Sequence, residues 1–140
     1  MSAALVREAF RAQVDGLLAG EGYAFFESIN KATATKDLPS RWYTLDFIPS
    51  DDTRISLGQP ALFRETGLVT VAVFSEHNVE DADAVAAAEV VRAQMCNWFD
   101  TSGHIRVTEA QPPTDLDGGD FRGAFYGITV DLRYQFDRFA

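Results

Sequence analysis

The segment Phe121–Phe139 alternates in polarity over most of its length: Ala124, Tyr126, Ile128, Val130, Leu132, Tyr134 and Phe136 fall on one side, and Phe125, Gly127, Thr129, Asp131, Arg133, Gln135 and Asp137 on the other. Successive side chains of a strand point to opposite faces, so the pattern predicts one long strand with an apolar face and a mainly polar face. Such a strand cannot satisfy its own backbone and requires a sheet around it. Ala61–Ser75 carries a second strong β signal, centred on Leu68-Val69-Thr70-Val71-Ala72-Val73-Phe74. Gly67 interrupts this run and is expected at a bulge or bend.

Arg41–Ile48 also alternates, with Trp42, Thr44, Asp46 and Ile48 on one side and Tyr43, Leu45 and Phe47 on the other. It predicts a strand with one apolar face, ended by the turn chemistry of Pro49-Ser50-Asp51-Asp52. Arg54–Leu57 is a short extended piece, and His104–Glu109 a further short strand. Two segments have helical periodicity instead. Residues 3–19 repeat Leu5/Val6, Ala9/Phe10, Val14 and Leu17/Leu18 every four positions, with Ser2 at the start and Gly20 and Gly22 just past the end. Ala84–Phe99 repeats Val85, Ala88, Val91, Met95 and Trp98/Phe99, with Glu80, Asp81 and Asp83 at the positive end of the helix dipole and Gly103 closing it. Tyr23–Ile29 is apolar enough to pack, and Lys31–Ser40 reads as a loop. The expected architecture is α+β: an antiparallel or mixed sheet of about four strands, two helices on one face, in the order α-β-β-α-β-β, within a single domain over 1–140.

Hydrophobic residues at 46% and charged residues at 24% fit a chain that folds. Twelve Lys and Arg against 21 Asp and Glu give a formal charge of −9, which argues against sequence-independent grip on nucleic acid. Charge breaks the N-terminal apolar run before a signal-peptide core forms, and no membrane segment is expected elsewhere. Cys96, the single cysteine, removes any intramolecular disulfide and any multi-cysteine zinc site.

Candidates for chemistry are few. His77 and His104 are the two histidines, both at the ends of elements, where exposed histidine is ordinary. Cys96 is expected as a small buried hydrophobe of the second helix. Asp115-Leu116-Asp117-Gly118-Gly119-Asp120 has three carboxylates, but it lacks the alternating oxygen ligands and distant bidentate Glu of a calcium loop, so a solvated loop is expected. No phosphate-cradling glycine loop with its lysine is present. No catalytic residue, metal or cofactor is therefore assigned. Eleven phenylalanines supply more aromatic surface than a modest core consumes, although most are expected inside it.

From Trp42 to Phe99 the order is an aromatic strand ending Phe47-Ile48-Pro49, then Leu57-Gly58, then Arg64-Glu65-Thr66-Gly67 leading into the apolar strand, then an Ala86-Ala87-Ala88 helix closing on Phe99. This arrangement, with the N-terminal helix and the long final strand in matching positions, resembles the tail terminator (tail completion) proteins of long-tailed phages. The similarity is to the lambda-like minor tail proteins and related prophage proteins of similar length. One departure is the connection Glu76-His77-Asn78-Val79-Glu80-Asp81, where family members carry a Pro/Gly-rich turn.

The resemblance implies a structural virion protein with no enzymatic chemistry. Its subunits would form a hexameric ring by head-to-tail contacts, seat on the last ring of tail tube protein, stop tube growth and present the surface that joins the head. Hexamers that form only on the tail would leave a monomer in solution. The implied partners are a second copy, the tail tube protein and a head-tail connector or neck protein, with DNA sliding through an acidic bore without specific binding. The implied location is the virion tail, reached through the host cytoplasm during assembly. Loops 50–60 and 112–122 are expected to meet ring neighbours or the tube, with the long strand pairs as the rigid base, and Asp51, Asp52, Arg54, Arg64, Glu65, Asp115, Asp117 and Asp120 as interface residues. Two other readings stay open: a different neck or connector ring protein, and a small α+β ligand-binding or enzymatic domain using His77 or His104.

Overall fold

The computed structural model describes residues 2–26, 41–76, 81–115 and 125–139. Its elements are α1 (Ser2–Leu18), a 3₁₀ turn (Ala19–Glu21), β1 (Ala24–Phe26), β2 (Arg41–Arg54), β3 (Leu62–Glu76), α2 (Asp81–Met95), β4 (Ile105–Ala110), β5 (Thr114–Asp115) and β6 (Phe125–Phe139). The α+β class stands, but the sheet has six strands rather than four. They are ordered β1-β2-β3-β6-β4, with β5 on β6 off that path. β1 pairs with β2 in parallel, and every other pairing is antiparallel. The two extra strands are three and two residues long, too short to announce themselves by periodicity.

The helices lie on one face of the sheet. Val6, Phe10, Val14 and Leu18 of α1, with Ala84, Ala88, Val91 and Met95 of α2, share one buried cluster with Tyr43, Leu45, Val69, Val71 and Val73. The even-numbered residues Ile128 to Phe136 of β6 join the same cluster, as the alternation requires. Phe10 is its aromatic hub, with ring centroids 6.1 Å from Phe47, 5.3 Å from Trp98 and 5.7 Å from Tyr134. Arg7 and Arg11 lay their guanidinium groups over Phe47 and Phe25 at 4.8 and 4.3 Å, so the polar edge of α1 also covers aromatic surface.

Several boundaries differ from the sequence reading. Pro49-Ser50-Asp51-Asp52 does not end the strand: β2 runs on to Arg54, with a register shift between Pro49 and Asp51. A bulge is one place in a ladder where proline's missing N–H is harmless. The side chains that suggested a turn act locally instead, Ser50 on the Thr66 carbonyl and Asp51 on the Asp52 amide and the Thr53 hydroxyl. The irregularity expected at Gly67 is thus on the opposite strand, where Pro49 faces Gly67. Nor does β2 have a single apolar face, because Trp42 and Thr44 are buried as well and Trp42 stacks on Phe74 with centroids 4.0 Å apart.

Helix α2 stops at Met95, short of Phe99 and Gly103. Asn97 takes the left-handed conformation at φ 61°, a role asparagine tolerates better than other side chains. Gly103, at φ 76°, belongs to the next turn, where its amide donates to the Asp100 carbonyl. Cys96 is consequently exposed just beyond the helix, which corrects the expectation of a buried position. Gly22, left-handed at φ 85°, closes the 3₁₀ turn that follows α1, its amide donating to the Ala19 carbonyl. The expected loop at 31–40, His77, Glu80 and residues 121–124 of the last strand lie outside the described residues.

Candidate assembly surface

Strands β2, β3 and β6 are 14, 15 and 15 residues long, so the sheet is about 50 Å in its long direction at about 3.3 Å per residue. The face away from the helices can be followed row by row in the register. Trp42, Phe74 and Gly127 form the row at one end, followed by Thr44-Ala72-Thr129, Asp46-Thr70-Asp131 and Ile48-Leu68-Arg133. Past the bulge come Asp51-Thr66-Gln135 and Thr53-Arg64-Asp137. Leu62 and Phe139 form the last pair, beside Ile55, whose amide donates to the Leu62 carbonyl. The face therefore passes from buried aromatic, through polar, to an apolar edge at the β2–β3 tip.

Polar groups in the middle of this face are largely tied to each other. Arg64 grips Asp137 with both Nε and Nη2, at 2.8 and 3.0 Å. That guanidinium holds the Asp137 carboxyl below the usual carboxylate range, and the hydrogen bond to Asp137 raises Arg64 in turn. Thr70 donates to Asp131 at 2.8 Å, and Arg133 meets Glu109 at 3.4 Å. Asp46 is different: it is half-buried, and desolvation pushes it above its usual range, partly offset by the charge of Arg7.

The sequence-predicted interface residues divide into three groups. Asp51, Asp52, Arg54 and Arg64 gather at the tip end of β2 and β3. There Asp52 pairs with Arg138 of β6, and Arg54 donates to the carbonyls of Ser56 and Leu57, so it shapes the turn that carries it. Glu65 faces the opposite way. It is buried on the helix side of the sheet and accepts a hydrogen bond from the Tyr134 hydroxyl at 2.9 Å. Burial and that bond raise the tyrosine well above its ordinary value. Asp115 sits away from the tip on β5, where it accepts from Tyr126, and Asp117 and Asp120 lie outside the described residues.

Sequence reasoning missed the apolar groups at this end. Leu57 in the turn is 93% exposed and Phe139 63% exposed. Beside Phe139, an open groove of about 880 Å³ runs between α1 and the end of β6. Leu5, Ala9, Ile105 and Phe136 line it, and Leu5 at its rim is 53% exposed. A leucine followed by glycine in a polar turn was the available signal, because a large apolar side chain has no core to reach there.

The groove also contains Asp100, Ser102 and His104, residue types that serve in acyl transfer. Here they form a turn. The Ser102 hydroxyl donates to the Asp100 carboxylate and accepts from the His104 backbone amide, so no serine–imidazole contact exists. Among the described residues no group of three or more His, Cys, Asp and Glu is placed to hold a metal ion. No described helix is long and apolar enough to cross a membrane.

No family model and no curated protein matches the chain. A solved protein structure aligns with 100% of this chain and 98% of its own, at a TM-score of 0.58 and 23% identity. At that identity the likeness is one of fold alone.

Proposed function

We propose that this chain is a tail terminator: a structural subunit that assembles as a ring on the end of a phage tail tube, stops its growth and offers the surface for head joining. The observation that carries the proposal is the apolar end of the long β2–β3 hairpin, where Ile55, Leu57 and Phe139 stand exposed beside ion-paired strands. Exposed large apolar groups rimmed by charge mark surfaces that meet other proteins. The pattern from Trp42 to Phe99 supplies the family resemblance, and the formal charge of −9 suits a bore through which DNA must slide without sticking.

Loops 50–60 and 112–122 were expected to make the contacts. Residues 50–54 are strand, so the first contact region narrows to the turn at 55–61, to which we add the end of β6; of the second, Thr114–Asp115 is strand and residues 116–122 lie outside the described residues. Asp52 and Arg64 serve there as intrachain braces for the contact surface.

The test is to assemble tail tubes from the cognate tube protein with and without this chain and to measure their lengths by negative-stain electron microscopy. The proposal expects rings seated at one end and a narrowed length distribution. Tubes with bare ends and unchanged lengths would refute it and favour a neck protein or a ligand-binding domain.

A further inference from the structure

We propose that the turn at 55–61 of one copy inserts Leu57 into the groove between α1 and the end of β6 of the next copy, making the subunit contact a head-to-tail plug and socket. This rests on the ring-forming reading above and specifies which surfaces close the ring. The plug is a built feature. Arg54 donates to the carbonyls of Ser56 and Leu57, the Ser56 hydroxyl accepts from the Leu62 amide at 2.9 Å, and the Ile55 amide donates to the Leu62 carbonyl at 2.8 Å. The turn is thus pinned from both sides while Leu57 points into solvent at 93% exposure.

The socket has an apolar floor, Ile105 and Phe136, and an apolar rim, Leu5 and Phe139. Its charged groups favour the same occupant. Among the described residues Glu8, which lines it, makes no ion pair, Asp15 accepts the Tyr43 hydroxyl and Asp100 groups of its own turn, while the two arginines of the lining are engaged within the chain, Arg138 with Asp52 and Arg11 over the Phe25 ring. At the plug the situation is reversed, because Arg54 donates to carbonyls and has no carboxylate partner among the described residues. Among the described residues, a cation without a carboxylate partner beside an exposed leucine thus meets an apolar groove whose lining carries four carboxylates, Glu8, Asp15, Asp100 and Asp137, against the two arginines. Plug and socket are different patches of one chain, so their union is heterologous and propagates from copy to copy, the form of contact that a cyclic ring is built from.

The decisive experiment is directional cross-linking in the full chain carrying Cys96→Ser. One variant then carries Leu57→Cys and another Ala12→Cys, both at exposed positions, Ala12 lining the groove. Oxidation of the mixture is expected to give a disulfide-linked dimer that neither variant gives alone. In parallel, sedimentation of the wild-type chain should show mass rising with concentration. Leu57→Glu should sediment as a monomer over the same range with an unchanged thermal midpoint, since its side chain is in solvent. Absence of the mixed dimer, dimers of Leu57→Cys with itself, or association unaffected by Leu57→Glu would each overturn the contact. Tube capping is scored separately. Capping that survives Leu57→Glu sinks the plug and leaves the terminator proposal standing, whereas mixed dimers without capping do the reverse.

Discussion

A Cβ placed on Gly67 would stand 2.7 Å from Cε1 and 2.8 Å from the hydroxyl of Tyr134, and 2.8 Å from the backbone carbonyl of Ile48. The carbonyl cannot retreat, because Ile48 is paired with Leu68 in the β2–β3 ladder. The ring must therefore move, and its hydroxyl would leave the buried Glu65 carboxylate. Overpacking of this kind costs about 1–3 kcal/mol. Loss of a buried hydrogen bond to a carboxylate adds about 1.5–3 kcal/mol. Alanine returns about 0.4–1 kcal/mol by restricting the unfolded chain. Gly67→Ala is thus expected to lose about 1.5–5.5 kcal/mol, or about 5–20 °C in thermal midpoint for a domain of this size. Urea and thermal unfolding followed by tryptophan fluorescence and circular dichroism would measure it. In a Tyr134→Phe background, where the hydrogen bond is already gone, the same substitution should cost less by about 1.5 kcal/mol or more. A Gly67→Ala protein within about 0.5 kcal/mol of wild type, or equal costs in the two backgrounds, would refute the reasoning.

Three further substitutions test other parts of the account. Asp137 is held below its unfolded value by Arg64, so its contribution is present above the unfolded value of about 3.9 and fades as pH falls through the folded one. Asp137→Asn should accordingly cost about 1 kcal/mol at pH 7, after discounting for solvent screening, and the gap to wild type should close below about pH 4. Asp46 has the opposite sign, since burial raises it and its charged form opposes folding at neutral pH. Asp46→Asn should be neutral or stabilising by up to about 1 kcal/mol at pH 7, with the gain shrinking on acidification, and a clear loss at pH 7 would contradict this. At Asn97 the left-handed backbone predicts that alanine costs about 1 kcal/mol while glycine costs nothing, read from paired denaturant melts.

The long-range plan of the sheet was legible wherever burial imposes a period. The even-numbered side of Phe125–Phe139 entered the core as its alternation requires, and Val6, Phe10, Val14 and Leu18 formed the buried stripe of α1. What escaped was set by partners distant in sequence. β1 exists because Ala24–Phe26 runs parallel to Trp42–Thr44, and nothing in three residues announces that pairing. Pro49 and its neighbours have turn chemistry in isolation, but the ladder to β3 overrides it and converts a stop into a bulge. Glu65 looked like a surface charge beside Arg64. It is buried because alternation turns it to the opposite face, where Tyr134, 69 positions away, takes up its carboxylate. Arg64, Asp52 and Arg54, named from the sequence as interface residues, lie together at the tip of β2 and β3, while the exposed apolar side chains beside them depend on where strands stop and carry little local signal.

The central claim is tested most directly by counting copies of this chain on tube ends. Cys96 is exposed and single, and so accepts one fluorophore per chain. Step-counting photobleaching of labelled protein on assembled tubes should find it at one end of each tube only, in spots of several bleaching steps as a closed cyclic ring requires, about six for the hexamer that the resemblance implies. Label scattered along the tubes, equal occupancy of both ends, or single-copy spots would contradict the account.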